Sequence, residues 1–496
     1  MEKTIIDLIE ISQFYGKNTE YVIAGGGNTS WKNDNLLYIK ASGVGLASIG
    51  REGFCVLDRA KLAMLPDMKL SADPVVREEQ IKTGLMNSRV NPESGLRPSV
   101  ETSLHDLFAY AFVVHTHPTL VNGLLCSREA EQGVSRLFGP KALYIPYSDP
   151  GFVLFTIIRG KILEYRKQYG EDPKMVFIQN HGIFVAADTV EEIREIYSGV
   201  ESRLREAIGD VQVMLETSPS ALVAEIIPAV RMLLSGEKVR VARTFTGTTL
   251  FPFISGREAF SAISRPFTPD QMVYCLSEYL FIENTSSAEA ALSEIRASTE
   301  AFKARKGVLP KLLFLKNEGV IVVEDSPVAL DYLESLVKDF TRIALISENF
   351  GGAHPMTEEQ VAFIESWEVE NYRKKVSLGE KPKGRVENKV VVITGAAQGF
   401  GAGIAEALMA EGANVVIADM NAEKGEAFAA ELNQKPTKNR AFFARVDVSR
   451  AESVENMVNL TVFHLGGIDV MISNAGILRA GSLEDMSPET FDLMTR

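Results

Sequence analysis

Ala111–Pro118 reads AFVVHTHP. The apolar run predicts a buried strand, and Pro118 ends it because proline cannot donate to a sheet ladder. Residues two apart in a strand share a face, so His115 and His117 project side by side while Thr116 lies on the other face. Paired imidazoles in that arrangement suit a divalent metal such as zinc. The chain has six histidines, and one of them, His181, follows a second apolar run, Met175–Ile178. It sits in Gln179-Asn180-His181-Gly182, where Gly182 allows a sharp turn at the strand end. Three protein nitrogens on zinc leave coordination open for substrate oxygens, the catalytic arrangement. The competing reading is three structural histidines near strands.

Glu101 precedes His115 by 14 residues, in Pro98-Ser99-Val100-Glu101-Thr102-Ser103-Leu104-His105. Ser99 is placed to cap a helix that carries Glu101 near its N-terminus. Glu101 is then either a proton-transfer group, a fourth metal ligand that substrate displaces, or a surface carboxylate favoured by the helix dipole. His105, one turn later, reads as structural. Ala24-Gly25-Gly26-Gly27-Asn28-Thr29-Ser30 offers unobstructed backbone amides and the Asn28 side chain, a loop type that cradles phosphate or carboxylate. Lys40-Ala41-Ser42-Gly43 follows the apolar run Leu36–Ile39. Taken singly, each loop is also compatible with an ordinary tight turn.

Toward the other end, Asn388–Thr394 (NKVVVIT) predicts a buried strand. It runs into Thr394-Gly395-Ala396-Ala397-Gln398-Gly399-Phe400-Gly401 and a helix through Leu408. Such glycines permit a tight turn and close approach of a pyrophosphate to a helix N-terminus. A second strand, Asn414–Ala418, ends at Asp419, 18 residues after Gly401. Its carboxylate suits ribose hydroxyls and repels a 2′-phosphate, which favours NAD over NADP.

Between these motifs the chain reads as four stretches. Residues 1–210 alternate strands and helices and hold four of the six histidines. Residues 211–375 continue in mixed α/β pattern, with strands Leu312–Leu315 and Val320–Val323 about a turn at Asn317-Glu318-Gly319. There Ser326-Pro327 opens a helix. Residues 376–388 form a charged linker, and 389–496 a βαβ region.

The 496 residues carry 52 Lys plus Arg against 65 Asp plus Glu, a net charge of −13. That argues against broad nucleic-acid binding. Hydrophobic residues make up 46% and charged residues 24%, the balance of a soluble globular protein. Three cysteines without CxxC spacing indicate free thiols in a reducing compartment. The expectation is a cytoplasmic protein with neither a secretory signal nor a membrane helix.

The order Gly-rich-Asn-x-Ser, Ser-Gly, Ser-x-Glu, HxHP and Asn-His-Gly resembles the class II aldolase/adducin family over residues 1–210. That family includes fuculose- and rhamnulose-phosphate aldolases and ribulose-phosphate epimerases. The resemblance implies zinc on His115, His117 and His181, and Glu101 as acid/base. It also implies a substrate phosphate held by Gly27, Asn28, Ser42, Gly43 and Ser99, and a homotetramer with sites between subunits. Fuculose-type members have Ser-Ser-Glu where this chain has Ser99-Val100-Glu101, so one hydroxyl is missing. Adducin-like members lack the metal histidines, which counts against a scaffold role. Pro266–Asp270 and Phe363–Arg373 are similar to the aldolase part of fused aldolase–dehydrogenase proteins of the rhamnulose-phosphate type, with no catalytic role carried over.

The TGxxxGxG form of residues 394–401 resembles short-chain dehydrogenases. Val446-Asp447-Val448 is similar to their adenine-side motif, and Ser473-Asn474-Ala475-Gly476 to their NNAG strand end. The implied NAD contacts are Thr394, Gly395, Gln398, Gly399, Phe400, Gly401, Asp419, Asp447, Val448, Asn474, Ala475 and Gly476. Such enzymes also use a Tyr, a Lys four residues on and an upstream Ser, yet no tyrosine follows Tyr372 and no lysine follows Lys438. The chain stops at Arg496, in a helix beginning near Ser487-Pro488. The expectation is therefore an α/β protein: a class II aldolase α/β/α domain, an α/β extension and a partial Rossmann-fold parallel sheet. That last part reads as a fragment, incompetent alone for hydride transfer and with an apolar sheet edge.

The expected function is zinc-dependent retro-aldol cleavage of a ketose 1-phosphate such as rhamnulose 1-phosphate, joined to NAD-linked oxidation of the aldehyde. The alternative is a zinc-dependent sugar-phosphate epimerase or other sugar aldolase joined to a polyol dehydrogenase. Either way the partner is a small sugar phosphate, with no nucleic acid and no membrane.

Overall fold

The computed structural model describes residues 2–236, 238–366, 384–435, 437–477, 479, 481–482 and 484–495. Residues 367–373 of the similar segment and 376–383 of the expected linker lie outside the described residues. The chain divides into two compact units, each discontinuous in sequence. The first is Met1–Val213, Ser261–Glu278 and Ser335–Gly379; the second is Met214–Phe260, Tyr279–Glu334 and Glu380–Arg496. The stretch 211–375 is thus shared between the two.

In the first unit, seven strands form one sheet: β1 (Asn28–Lys32), β2 (Leu36–Lys40), β3 (Phe54–Asp58), β4 (Phe112–Thr116), β5 (Leu143–Ile145), β6 (Met175–Ile178) and β7 (Gly182–Ala187). Their order is β3-β2-β1-β4-β7-β6-β5. Neighbours are antiparallel except β5 and β6. Phe112 and Val114 face a core shared with helices Glu2–Gly16, Thr119–Leu125 and Val190–Ile208. Val113, of opposite parity, packs with Ile158 and Ile162 of helix Phe152–Tyr169. Helices therefore cover both faces, and β4 reads as a continuous apolar run because both of its sides are buried. Each such buried side chain contributes roughly 1.5–3 kcal/mol.

The second unit holds two sheets. In one, β8 (Val241–Phe245), β9 (Leu280–Ile282), β10 (Leu312–Leu315) and β11 (Gly319–Glu324) run in the order β8-β11-β10-β9. The expected β10–β11 hairpin is present, turned through Asn317 at φ 58°. The helix that follows, Pro327–Ser347, opens with Ser326 Oγ accepting the Ala329 N–H at 3.3 Å. The other sheet is wholly parallel, with β12 (Val390–Thr394), β13 (Asn414–Asp419), β14 (Ala441–Arg445) and β15 (Val470–Ile472) in the order β14-β13-β12-β15. Helices Gly399–Ala410, Ala422–Asn433 and Ala451–Leu465 make the crossovers. This is a partial Rossmann sheet, with a topological switch point between β12 and β15.

A part-buried ion pair joins helix Ala221–Ser235 to the residue that leads into β15. Arg231 Nη2 donates to Asp469 Oδ2 at 2.7 Å, and the same oxygen accepts the Val390 N–H at 2.7 Å. Along β15, Val470 and Met471 are 38% and 45% exposed, as expected of an apolar edge. All three cysteines are buried and none is in a disulfide. Among the described residues, no helix is long and apolar enough to cross a membrane.

Candidate functional site

β4 presents His115 at its penultimate position and His117 one residue past its end. His115 shares the parity of Val113 and is fully buried, its ring stacked on Phe184 with centroids 3.9 Å apart. Thr116 turns to the other face and bonds the Tyr197 hydroxyl at 2.8 Å. His181 lies in the turn between β6 and β7, its N–H on the Ile178 carbonyl at 3.2 Å. The three rings converge. Nε2 of His115 lies 2.9 Å from Nε2 of His117 and 3.3 Å from Nε2 of His181. One atom from each histidine falls within 4.8 Å of the others.

The Nδ1 atoms of His115 and His117 point away from this cluster. His115 Nδ1 donates to the Ile183 carbonyl at 3.0 Å, which leaves its Nε2 as the lone-pair side. His117 Nδ1 lies 2.5 Å from Asp270 Oδ2. Burial keeps His115 neutral, its pKa well below the usual imidazole range. A neutral His115 Nε2 converging with the Nε2 atoms of His117 and His181 is the kind of donor set a divalent cation takes.

Glu101 completes the cluster. Its Oε1 is 3.4 Å from His115 Nε2 and 3.3 Å from His181 Nε2, yet this buried oxygen accepts no hydrogen bond. Oε2 accepts from the Asn28 amide at 2.5 Å. Burial works to raise the Glu101 pKa, while a proton on any of the facing imidazoles and the hydrogen bond from Asn28 work to lower it, and the balance is a lowered pKa. A buried acceptor with no donor, beside three convergent imidazoles, fits an ion among them. His105 takes no part in that convergence. Its Nδ1 bonds Ser30 Oγ at 2.7 Å and its Nε2 bonds Asn28 Oδ1, while burial lowers its pKa to about 3. The chain Ser30–His105–Asn28–Glu101 thus orients the carboxylate.

Two local expectations are corrected. Ser99 does not cap the helix. That helix is Thr102–Leu107 with Glu101 itself at the N-cap, and Ser99 Oγ accepts the Glu101 N–H at 3.3 Å. Nor does Gly182 make the turn at His181. Asn180 takes the left-handed conformation at φ 53°, and Gly182 is small because a Cβ there would lie 2.5 Å from the Thr116 carbonyl and 2.7 Å from the His117 ring.

The loops expected to hold phosphate gather beside Glu101. Asn28 Nδ2 reaches Ser99 Oγ at 3.3 Å. A bridge between Ala41 and Pro98, with the Ser42 N–H on the Arg97 carbonyl at 2.8 Å, brings Ser42 and Gly43 alongside. Gly27 has φ +64°, and a Cβ there would meet the His115 carbonyl at 2.8 Å. The Asn28 amide is directed at Glu101 and Ser99. Two further residues were not assigned from sequence: Asp270, against His117, and Tyr274, whose hydroxyl accepts the Gly25 N–H at 3.1 Å. Nothing in their spacing signals either.

In the second unit the dinucleotide motifs meet at the β12–β15 switch point. Thr394 Oγ1 accepts the N–H groups of Asn474 and Ala475, both at 3.0 Å. The Asn474 amide donates to the carbonyls of Thr394 and Gly395 at 2.9 and 3.2 Å. Asp419 Oδ2 accepts the Ala397 N–H at 3.0 Å, so the carboxylate sits at the glycine turn. A Cβ on Gly401 would come within 2.4 Å of the Gly395 carbonyl, and Gly399 takes φ +64°. Gln398 is the N-cap of the following helix and accepts from Lys424 at 2.9 Å, while Phe400 is 89% exposed. Asp447 accepts from Ser449, which lowers its pKa, and Val448 is exposed. Gly476 follows Ala475 in the segment after β15.

Family comparison bears on both sites. Residues 7–208 match the class II aldolase and adducin N-terminal domain, and residues 389–496 match the short-chain dehydrogenases. The oxidoreductase YuxG of Bacillus subtilis, itself uncharacterized, is 24% identical over 99% of this chain and 75% of its own length. Trans-4-hydroxycyclohexanecarboxylate dehydrogenase of Sinomonas cyclohexanicum is 45% identical over 20% of this chain and 40% of its own. A solved dehydrogenase/reductase of Sinorhizobium meliloti covers 21% of this chain and 42% of its own at 36% identity, with a TM-score of 0.21. The chain therefore carries a class II aldolase/adducin-like domain fused to part of a short-chain dehydrogenase domain, with a histidine cluster suited to a metal in the first.

Proposed function

We propose that the first unit is a zinc-dependent lyase. It cleaves a ketose 1-phosphate of the rhamnulose type into dihydroxyacetone phosphate and an aldehyde. The observation that supports this most directly is the unpartnered Oε1 of Glu101 facing three convergent Nε2 atoms. His115, His117 and His181 would hold the ion. When bound, the ion supplies Lewis-acid stabilisation of negative charge developing on the substrate's neighbouring oxygens. Glu101 handles the proton at the carbon left behind when the carbon–carbon bond breaks. Asn28 and His105 keep its carboxylate aimed at that carbon. Gly27, Ser42, Gly43 and Ser99 bind the phosphate and so fix the sugar's register, with one hydroxyl fewer than a Ser-Ser-Glu site, while the Asn28 amide, expected to join them, is committed to Glu101 and Ser99.

For the second unit we propose NAD binding at the 394–401 turn, with Asp419 on the adenosine ribose. Its electrostatic preference is for a ribose without a 2′-phosphate. The 394–401 turn, Thr394 and Asn474 would hold the dinucleotide, which when bound would supply a hydride acceptor; residues 389–496 contain no tyrosine to move the accompanying proton.

The deciding experiment incubates the purified chain with zinc and a panel of ketose 1-phosphates, then measures dihydroxyacetone phosphate. The expected result is release from at least one of them, abolished by a chelator and restored by zinc. Epimerisation without release, or no turnover of any member, would refute the lyase reading.

A further inference from the structure

The aldolase-like match ends at residue 208, but a group that touches one of the three histidines lies well beyond it. Asp270 belongs to the short helix Pro269–Cys275, in the segment Ser261–Glu278 that folds into the first unit. It is 7% exposed, and its Oδ2 lies 2.5 Å from His117 Nδ1. The surrounding segment is fastened to the other parts of the site. Asn180, next to His181, donates its amide to the Phe267 carbonyl at 3.0 Å. The Tyr274 hydroxyl accepts from Gly25 at 3.1 Å. Gly26 leaves room for the carboxylate, since a Cβ there would lie 2.7 Å from Asp270 Oδ2.

We propose that Asp270 is a positioning residue for the metal centre, so that a segment outside residues 7–208 completes it. A carboxylate that accepts Nδ1–H fixes the imidazole tautomer and ring orientation, turns Nε2 toward the ion and makes that nitrogen a better donor. His115 has a backbone carbonyl in the corresponding place, the weaker partner of the two. The glycine at 26 is then explained by the metal centre as well as by any phosphate. This inference rests on the reading that the three histidines bind a divalent cation.

The test titrates Co2+ and Zn2+ against a chromophoric chelator in the full chain, comparing wild type with Asp270→Asn, Gly26→Ala and His115→Ala. Asp270→Asn is expected to weaken affinity by about 10- to 100-fold and to shift the Co2+ d–d absorption, with metal-free melting unchanged. Gly26→Ala, which displaces Asp270 while leaving every ligand in place, is expected to lose affinity by about tenfold. If both variants bind within about twofold of wild type, by that same scale, Asp270 has no positioning role. If Asp270→Asn does not fold, Gly26→Ala decides alone by the same criterion. If wild type binds no more tightly than His115→Ala, the metal reading itself fails and carries this inference with it.

Discussion

In the first unit the reactive groups are side chains drawn from widely separated segments: Asn28, Glu101, His115 with His117, His181 and Asp270. In the second they are mostly backbone groups, gathered within one βαβ turn and the end of β15, with Asp419 and Asn474 as the polar side chains between them. A side-chain site concentrates burial and charge, and its chemistry fails when one functional group is removed. A backbone site tolerates many side-chain changes but not added volume, because its glycines are in contact with neighbouring backbone.

The largest expected effect is at Glu101, the carboxylate proposed to move the substrate's proton. Glu101→Gln preserves the Asn28 contact in shape but cannot accept a proton, so dihydroxyacetone phosphate release should fall by about 10²-fold or more. Zinc content by atomic emission should stay at wild-type level. Unchanged turnover would show that Glu101 is a bystander.

A smaller effect is expected from adding volume in the second unit. Gly401→Ala would place a Cβ 2.4 Å from the Gly395 carbonyl and 2.7 Å from Asn474 Nδ2. A cost of about 1–3 kcal/mol follows, read as a lower denaturation midpoint and weaker NAD binding. Zinc content and lyase turnover should be unaffected; their loss would mean that the two sites are not separable in this way.

The last test concerns a buried carboxyl of the first unit rather than its reactive groups. Burial raises the Asp339 pKa from 3.8 to about 7, against the Thr119 hydrogen bond and the nearby Gln271 side chain, which lower it. Between those values the folded chain holds a proton that the unfolded chain has lost. Stability contributed at this position is therefore complete below about pH 4 and falls as pH rises toward 7, by about 1.4 kcal/mol per pH unit. Asp339→Asn should flatten that slope in urea unfolding between pH 5 and 7. An identical slope in the two proteins would place the proton elsewhere.

The sequence made the local features of both regions legible. Two-residue strand periodicity puts His115 and His117 together, and the glycine spacing of 394–401 with Asp419 describes a βαβ turn that the structure contains. Boundaries were harder: Ser99 and Glu101 compete for one cap, and Asn180 rather than Gly182 takes the left-handed turn. Asp270 was not legible at all, because 153 residues separate it from His117 and only the return of 261–278 to the first unit makes them neighbours. The same discontinuity divides the 211–375 stretch, since strand and helix patterns do not reveal which core a segment joins.

The most direct test of the metal centre is anomalous scattering at the zinc K-edge from crystals grown with zinc. A single peak is expected within about 2.0–2.1 Å of the Nε2 atoms of His115, His117 and His181. No peak there, or a zinc held by other residues while these rings remain hydrogen-bonded to one another, would contradict it.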